Sequence, residues 1–209
     1  PWWAFVLFIP LGWNYIAING FFDGAGLYYP YDIPSLAFFA IGTLLFVHRR
    51  WKLFYLFFLL ACLNRESACF ISLAGFFLTI RFSKELKSFV KENQTIILHV
   101  SIQATLWLAS RLIISYLFRD NPGKFFENPH SMIDFLQRII TGEPHWAMEN
   151  PRWFLTLFAG IWLIPFLLWK HLSVSARRFL LVGACYLAAL VFRSNMMETR
   201  VYNELNIIV

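Results

Sequence analysis

The feature that most constrains this chain is an apolar run over residues 51–80 that is interrupted at its midpoint by Asn64-Arg65-Glu66-Ser67. An ionised Arg or Glu at the middle of a bilayer costs about 2.5–3.5 kcal/mol on insertion scales. Because about 20 residues cross the hydrocarbon core, this run is too long for one helix and short for two. We therefore predict two short helices over 53–80 that meet at a polar turn. We expect this turn either at the membrane interface opposite the open end of the hairpin or facing a water-filled cavity.

Composition places the chain among membrane proteins. Hydrophobic residues make up 59% of the sequence and charged residues only 14%, against about 25% charged in soluble domains. We predict an all-α, polytopic transmembrane bundle that forms one domain over 1–209, with both ends continuing into a longer protein. It has about seven spans, including the short broken hairpin, at 2–18, 35–47, 53–80, 95–118, 153–169 and 179–192.

The connections between these spans alternate in charge. Three of them, 48–52, 81–92 and 170–178, carry ten basic residues and two acidic ones, whereas the other side carries seven basic and ten acidic. The positive-inside rule makes the first side cytoplasmic. If 53–80 were a single span, the basic cluster at 81–91 would fall outside, so the charges favour the hairpin independently. Topology thus accounts for the net charge of +6, and no nucleic-acid partner is predicted.

A long hydrophilic connection, 119–152, lies on the predicted outer side. It contains a helical pattern over 131–140, which we expect to lie on the membrane interface as an amphipathic helix. An aromatic turn with His145 and Trp146 follows it.

Four places put polar or charged groups toward the outer face. The first place, just before the second span, contains Tyr28, Tyr29 and Asp32. These residues form either an aromatic belt at the membrane interface with an acid near a helix N-terminus, or one wall of a site that faces a sugar or phosphate. At the interrupted run, Arg65 either pairs with Glu66, with Ser67 capping the next helix, or faces a phosphate. Its planar fork suits a phosphate because it donates two hydrogen bonds at once.

The other two places lie further along the chain. Arg111 lies within the fifth span. Its side chain either snorkels to the outer membrane interface, pairs with an acid such as Glu66 or Asp32, or contributes to a functional site at the outer face. Glu198 and Arg200 stand in a polar segment at the end of the chain, where they either pair structurally or line the same site.

The order of these features resembles the GT-C superfamily of integral-membrane glycosyltransferases. The resemblance rests on the aromatic loop, the acid before a span, the basic cytoplasmic turn and Leu63-Asn64-Arg65-Glu66-Ser67 between two apolar helices; the superfamily often has Ser-Lys-Glu-Thr or Lys-Pro-Thr at a comparable turn. The stretch 198–202 is similar to Glu-x-Arg segments of some bacterial members. It implies transfer of a sugar from a polyprenyl-phosphate donor, the lipid-linked partner, to an acceptor on the periplasmic or luminal side of a membrane, the inner membrane in a bacterium.

The resemblance also implies roles for particular residues. Arg65, Arg111 and Arg200 would hold the lipid phosphate, while Asp32, Glu66 and His145 would orient hydroxyl groups. Asp32 and Glu66 are the candidates for the catalytic base, which an upstream segment could also supply. Binding candidates are Tyr28, Tyr29, Asn64, Arg65, Arg111, His145, Glu198 and Arg200. The cofactor stays open, with a divalent metal as one candidate, and the alternative function is a transporter or flippase for a lipid-linked or anionic substrate.

Overall fold

The structure, a computed structural model, describes residues 32–120, 131–144, 152, 155, 156, 160, 162–193 and 204–208. Within these ranges all regular secondary structure is helical, as predicted. The α-helices are α1 (Asp32–Val47), α2 (Trp51–Asn64), α3 (Cys69–Thr79), α4 (Leu86–Leu117), α5 (Ser131–Thr141), α6 (Ile164–Leu167), α7 (Val174–Arg193) and α8 (Leu205–Ile208). Two 3-10 turns, Glu66–Ala68 and Trp169–His171, stand before α3 and before α7.

The chain divides into two compact units. The first, which we call the hairpin unit, comprises 33–122 and 174–182, and the second comprises 1–32, 123–173 and 183–209. That residues 1–209 form a single domain remains a prediction.

Helices α2 and α3 form the predicted hairpin, and α4 shows its direction. The ring of His99 on α4 stacks on Trp51 near the start of α2, and Arg111 on α4 bonds a carbonyl near the end of α2. Helix α2 therefore runs in the same direction as α4. Helix α3 runs in the opposite direction, because the chain beyond its end meets Asn93.

Helix α1 packs on this hairpin through aromatic rings and small residues. Phe46 is fully buried and lies against Trp51 and Phe54 of α2, with ring centroids 5.2 and 5.4 Å away. On its other side the ring faces Gly75 of α3, where a β-carbon would stand only 2.2 Å from a ring carbon. Gly75 is thus the residue that lets Phe46 fill the space between the three helices.

Several predicted boundaries were wrong. Helix α4 begins nine residues before the predicted span at 95–118, so Lys87 and Lys91 lie on a helix and not in a loop. The predicted span at 153–169 is not one continuous helix, because Gly160 adopts a φ of 76° and α6 starts anew with Pro165 near its N-terminus. Ser67 does not cap α3, since the intervening 3-10 turn makes Ala68 the N-cap.

Among the described residues one helix, α4, is long and apolar enough to cross a membrane. Helices α1, α2 and the stretch 66–79 are apolar but shorter. The all-α class is therefore established for the described residues, and the number of spans is not.

In the second unit, α5 confirms the helix predicted over 131–140. Asp134 accepts a 2.8 Å hydrogen bond from Arg138 one turn later, a pairing that supports a helix. The helix ends at Gly142, which has a φ of 78°, the left-handed conformation that glycine commonly supplies there. Elsewhere in this unit Tyr186 of α7 donates a 2.7 Å hydrogen bond to the buried carboxylate of Glu204.

Candidate functional site

The candidate site is the turn of the hairpin, residues 64–67. Helix α2 ends at Asn64, and the next residue, Arg65, is extended, with φ −157° and ψ 150°. This single extended residue reverses the chain before the 3-10 turn begins at Glu66. The turn residues are neither fully buried nor fully exposed, so their polar groups sit at the edge of an otherwise apolar helix packing.

Helix α4 holds this turn through two side chains. The Arg111 guanidinium donates to the carbonyl oxygen of Cys62, one of the carbonyls that a helix C-terminus leaves without an intrahelical partner. Trp107, one helical turn earlier, donates through Nε1 to the carbonyl oxygen of Glu66 at 2.8 Å. Both ends of the turn are therefore tied to the same face of α4.

Arg111 also forms the ion pair with Glu66 that was one of the sequence-based alternatives. The Nη1 and Oε2 atoms lie 3.8 Å apart, and the Arg111 side chain is 18% exposed against 46% for Glu66. This separation is longer than a direct hydrogen bond. The Nε of Arg111 is buried and has no hydrogen-bond partner within the described part of the chain.

A row of polar residues on α4, at spacings of four to six, was missed by the sequence analysis. We call Asn93, His99, Gln103, Trp107 and Arg111 the polar face of α4. Its first member, Asn93, is buried and bonds both the amide and the carbonyl of Arg81, at 2.9 and 2.8 Å. From His99 onward the signal was available, since the last four members are spaced four positions apart and such residues share a helix face.

The middle of the polar face contacts α2. His99 Nδ1 lies 2.8 Å from the Tyr55 hydroxyl, and its ring stacks on Trp51 with centroids 3.6 Å apart. Gln103, one turn further along, is 0% exposed and lies beside the Tyr55 side chain.

The structure brings together four of the predicted site residues: Asn64, Arg65 and Glu66 in the turn, and Arg111 beside it. Asp32 is the first residue of α1, and its side chain lies outside what is described. The remaining predicted residues also fall outside the described ranges: Tyr28, Tyr29, His145, Glu198 and Arg200.

Across the described ranges, no three His, Cys, Asp or Glu side chains come together in a way that could hold a metal ion. The charged groups at the turn are instead two guanidinium groups and one carboxylate. This set suits an anionic group with neighbouring hydroxyls better than a cation.

No model of a known protein family matches the chain, and neither curated proteins nor solved structures give a match. The function of this chain therefore has to be inferred from its own residues and their geometry.

Proposed function

We propose that this chain is part of a membrane glycosyltransferase. It would move a sugar from a polyprenyl-phosphate donor to an acceptor on the periplasmic or luminal side. The observation that carries the proposal is the polar turn 64–67, with Arg65, Glu66 and Arg111 at the tip of an apolar hairpin.

The first support is the fit of the hairpin to a bilayer. Along α4, the α3 side of the hairpin extends from Asn93 to Arg111 at the turn, whereas the α2 side begins at His99. At 1.5 Å per residue these sides cover about 27 and about 18 Å, so the longer one comes close to the hydrocarbon thickness of about 30 Å. A chain oriented in this way puts the polar turn at one interface and the basic connections at the other.

The second support is the chemistry of the turn. A lipid phosphate sits at the membrane interface, and a guanidinium binds it with two parallel hydrogen bonds. Arg111 is already engaged with the Cys62 carbonyl and near Glu66, so its main role is to hold the turn. Arg65, at the centre of the turn, is the residue we assign to the donor phosphate, and Glu66 is the candidate to orient a hydroxyl or accept its proton.

The test uses the full-length protein in nanodiscs with a panel of polyprenyl-phosphate sugars. We expect Arg65→Ala to reduce sugar transfer at least tenfold, since a charge-assisted contact to the donor is lost, and Arg65→Lys to restore part of it. Arg119→Ala is the matched control, because Arg119 is exposed and pairs with Asp120 at 3.8 Å on the same predicted side. Equal activity in wild type and Arg65→Ala, with a donor that is turned over, contradicts the assignment.

The alternative, a transporter or flippase for a lipid-linked or anionic substrate, is favoured by a different observation. The polar face of α4 continues from Asn93 to Arg111 along a helix that is long and apolar enough to cross a membrane, and polar groups inside membrane helices often mark substrate or ion paths. Transport predicts substrate flux into liposomes with no sugar transfer from any donor. That result would support the transporter hypothesis and contradict the glycosyltransferase hypothesis.

A further inference from the structure

The opposite end of the hairpin unit carries a concentration of positive charge on three separate segments. We call the exposed basic residues there the basic end. Four of them lie in the α3–α4 connection and the first turns of α4, and three lie in the α1–α2 connection and at the start of α2. The basic end comprises Arg49, Arg50, Lys52, Arg81, Lys84, Lys87 and Lys91.

Contacts within the unit bring these segments together. Trp51, between Arg50 and Lys52, stacks on His99 of α4, which lies about 9 Å along the helix axis from Asn93 at 1.5 Å per residue. The backbone of Arg81 is bonded to Asn93. The start of α7 joins the same region, since Arg178 donates a 2.9 Å hydrogen bond to the Ile80 carbonyl and lies over the Phe82 ring.

Acidic residues do not neutralise this charge. Among the described residues of these connections, only Glu85 and Glu92 are acidic, against the seven exposed basic residues. The two salt bridges that the described residues of the hairpin unit form, those of Arg111 and Arg119, involve none of these seven. The basic end is therefore an uncompensated positive surface.

Exposed apolar side chains lie beside the charges. Phe82 is 63% exposed, Leu86 77% and Val90 46%, and Leu86 and Val90, four residues apart on α4, share one helix face. Lys84, Lys87 and Lys91 flank them. Basic residues that alternate with exposed apolar ones are typical of segments that lie at a lipid headgroup layer.

The backbone at Arg49 adds an independent observation. Its φ is 55°, the one positive φ of a residue other than glycine in the described part of the chain. The left-handed conformation is unfavourable for a residue with a β-carbon and is commonly taken by glycine, yet a basic residue occupies it. Strain that persists at one position points to a role for its side chain.

We propose that the basic end binds anionic phospholipid headgroups of the adjoining leaflet. The positive surface supplies the attraction, and Phe82, Leu86 and Val90 enter the acyl boundary. This inference concerns lipid recognition and is independent of whether the turn 64–67 transfers a sugar.

The test measures lipid preference directly. The full chain is reconstituted in phosphatidylcholine nanodiscs, and spin-labelled phosphatidylglycerol and phosphatidylcholine are compared by the fraction of label that the protein restricts. We expect phosphatidylglycerol to be preferred severalfold at low salt, with a preference that falls as salt screens the charges. Since each basic residue near the surface strengthens the attraction about fivefold, the triple variant Lys84→Gln, Lys87→Gln, Lys91→Gln is expected to lose most of the preference.

Two controls make the outcome specific. The double variant Glu85→Gln, Glu92→Gln removes negative charge at the same end and is expected to raise the preference, whereas Arg119→Gln, at the other end of α4, is expected to leave it unchanged. All these side chains are exposed, and circular dichroism verifies that each variant is folded. Equal restriction of both lipids by wild type overturns the proposal, as does displacement of the labelled lipid by millimolar glycerol phosphate, which would indicate a soluble phosphate ligand.

Discussion

Arg49 shows how one residue can oppose the conformation that its neighbours impose. Helix α1 ends in a pair of hydrogen bonds, from the Arg49 amide to the Phe46 carbonyl and from the Arg50 amide to the Leu45 carbonyl, each of 2.9 Å. This pattern is the Schellman motif, in which the residue after the helix is left-handed and commonly glycine. Here that residue is arginine with a φ of 55°, so the turn is formed at a cost in backbone energy.

Replacing this residue by glycine is expected to stabilise the fold. Arg49→Gly should raise the free energy of unfolding by about 1 kcal/mol, because glycine adopts the left-handed conformation without a steric penalty. Unfolding in mixed micelles measures the change. Arg50→Gly removes the same charge one residue later, where φ is −82°, and should not stabilise; equal gains in both variants would contradict the explanation. If the basic end binds lipid, Arg49→Gly should also weaken the preference for phosphatidylglycerol.

At the scale of the helices, α1 and α3 meet where Phe46 faces Gly75, and small residues on α3 make the contact possible. Residues 74 and 75 are both buried, so the ring of Phe46 can approach the α3 backbone. Close helix packing through small residues is a common solution between membrane helices, where lipid offers no hydrophobic drive to associate.

We expect Gly75→Ala to destabilise the hairpin unit despite its better helix propensity. Alanine in place of glycine gains up to about 1 kcal/mol within a helix, whereas forcing a methyl group into a packed core costs about 1–3 kcal/mol. The added β-carbon would lie 2.2 Å from the buried ring of Phe46, so the second effect should dominate. The double variant Gly75→Ala, Phe46→Leu should recover part of the loss in a double-mutant cycle. A stabilised Gly75→Ala variant would show that the ring can move away.

The sequence predicted a helix boundary correctly where the position of charged residues and the length of the apolar run agreed. The break near Arg65 followed from charged residues inside an apolar run, and the structure ends α2 at Asn64. The start of α4 was misjudged, because the lysines at 87 and 91 resemble a loop in sequence, although lysine is a good helix former. The bond from Trp107 to the Glu66 backbone joins residues 41 positions apart, and sequence pattern alone does not predict such a pair.

For the whole molecule, the main question is which connections share a side of the membrane. In the hairpin unit both open ends of the α2–α3 hairpin lie along the N-terminal half of α4, and the turn lies near Trp107 and Arg111. If α4 crosses the bilayer, residues 52 and 84 are on one side and residue 64 on the other. A single continuous span over 53–80 would instead separate 52 from 84.

Cysteine labelling distinguishes these two topologies. In a background with Cys62, Cys69 and Cys185 replaced by alanine, Lys52→Cys and Lys84→Cys should react with a membrane-impermeant maleimide only after the cytoplasmic side is opened. Both positions are exposed, so failure to react on one side reflects the barrier of the membrane and not burial. Arg119→Cys, just beyond the far end of α4, should react in intact cells. Because residues 84 and 119 flank α4, labelling of both from the same side would exclude a transmembrane α4, and labelling of 52 and 84 from opposite sides would exclude the hairpin. The expected pattern would place the turn 64–67 on the same side as residue 119, where a lipid-linked sugar donor would reach Arg65 from outside.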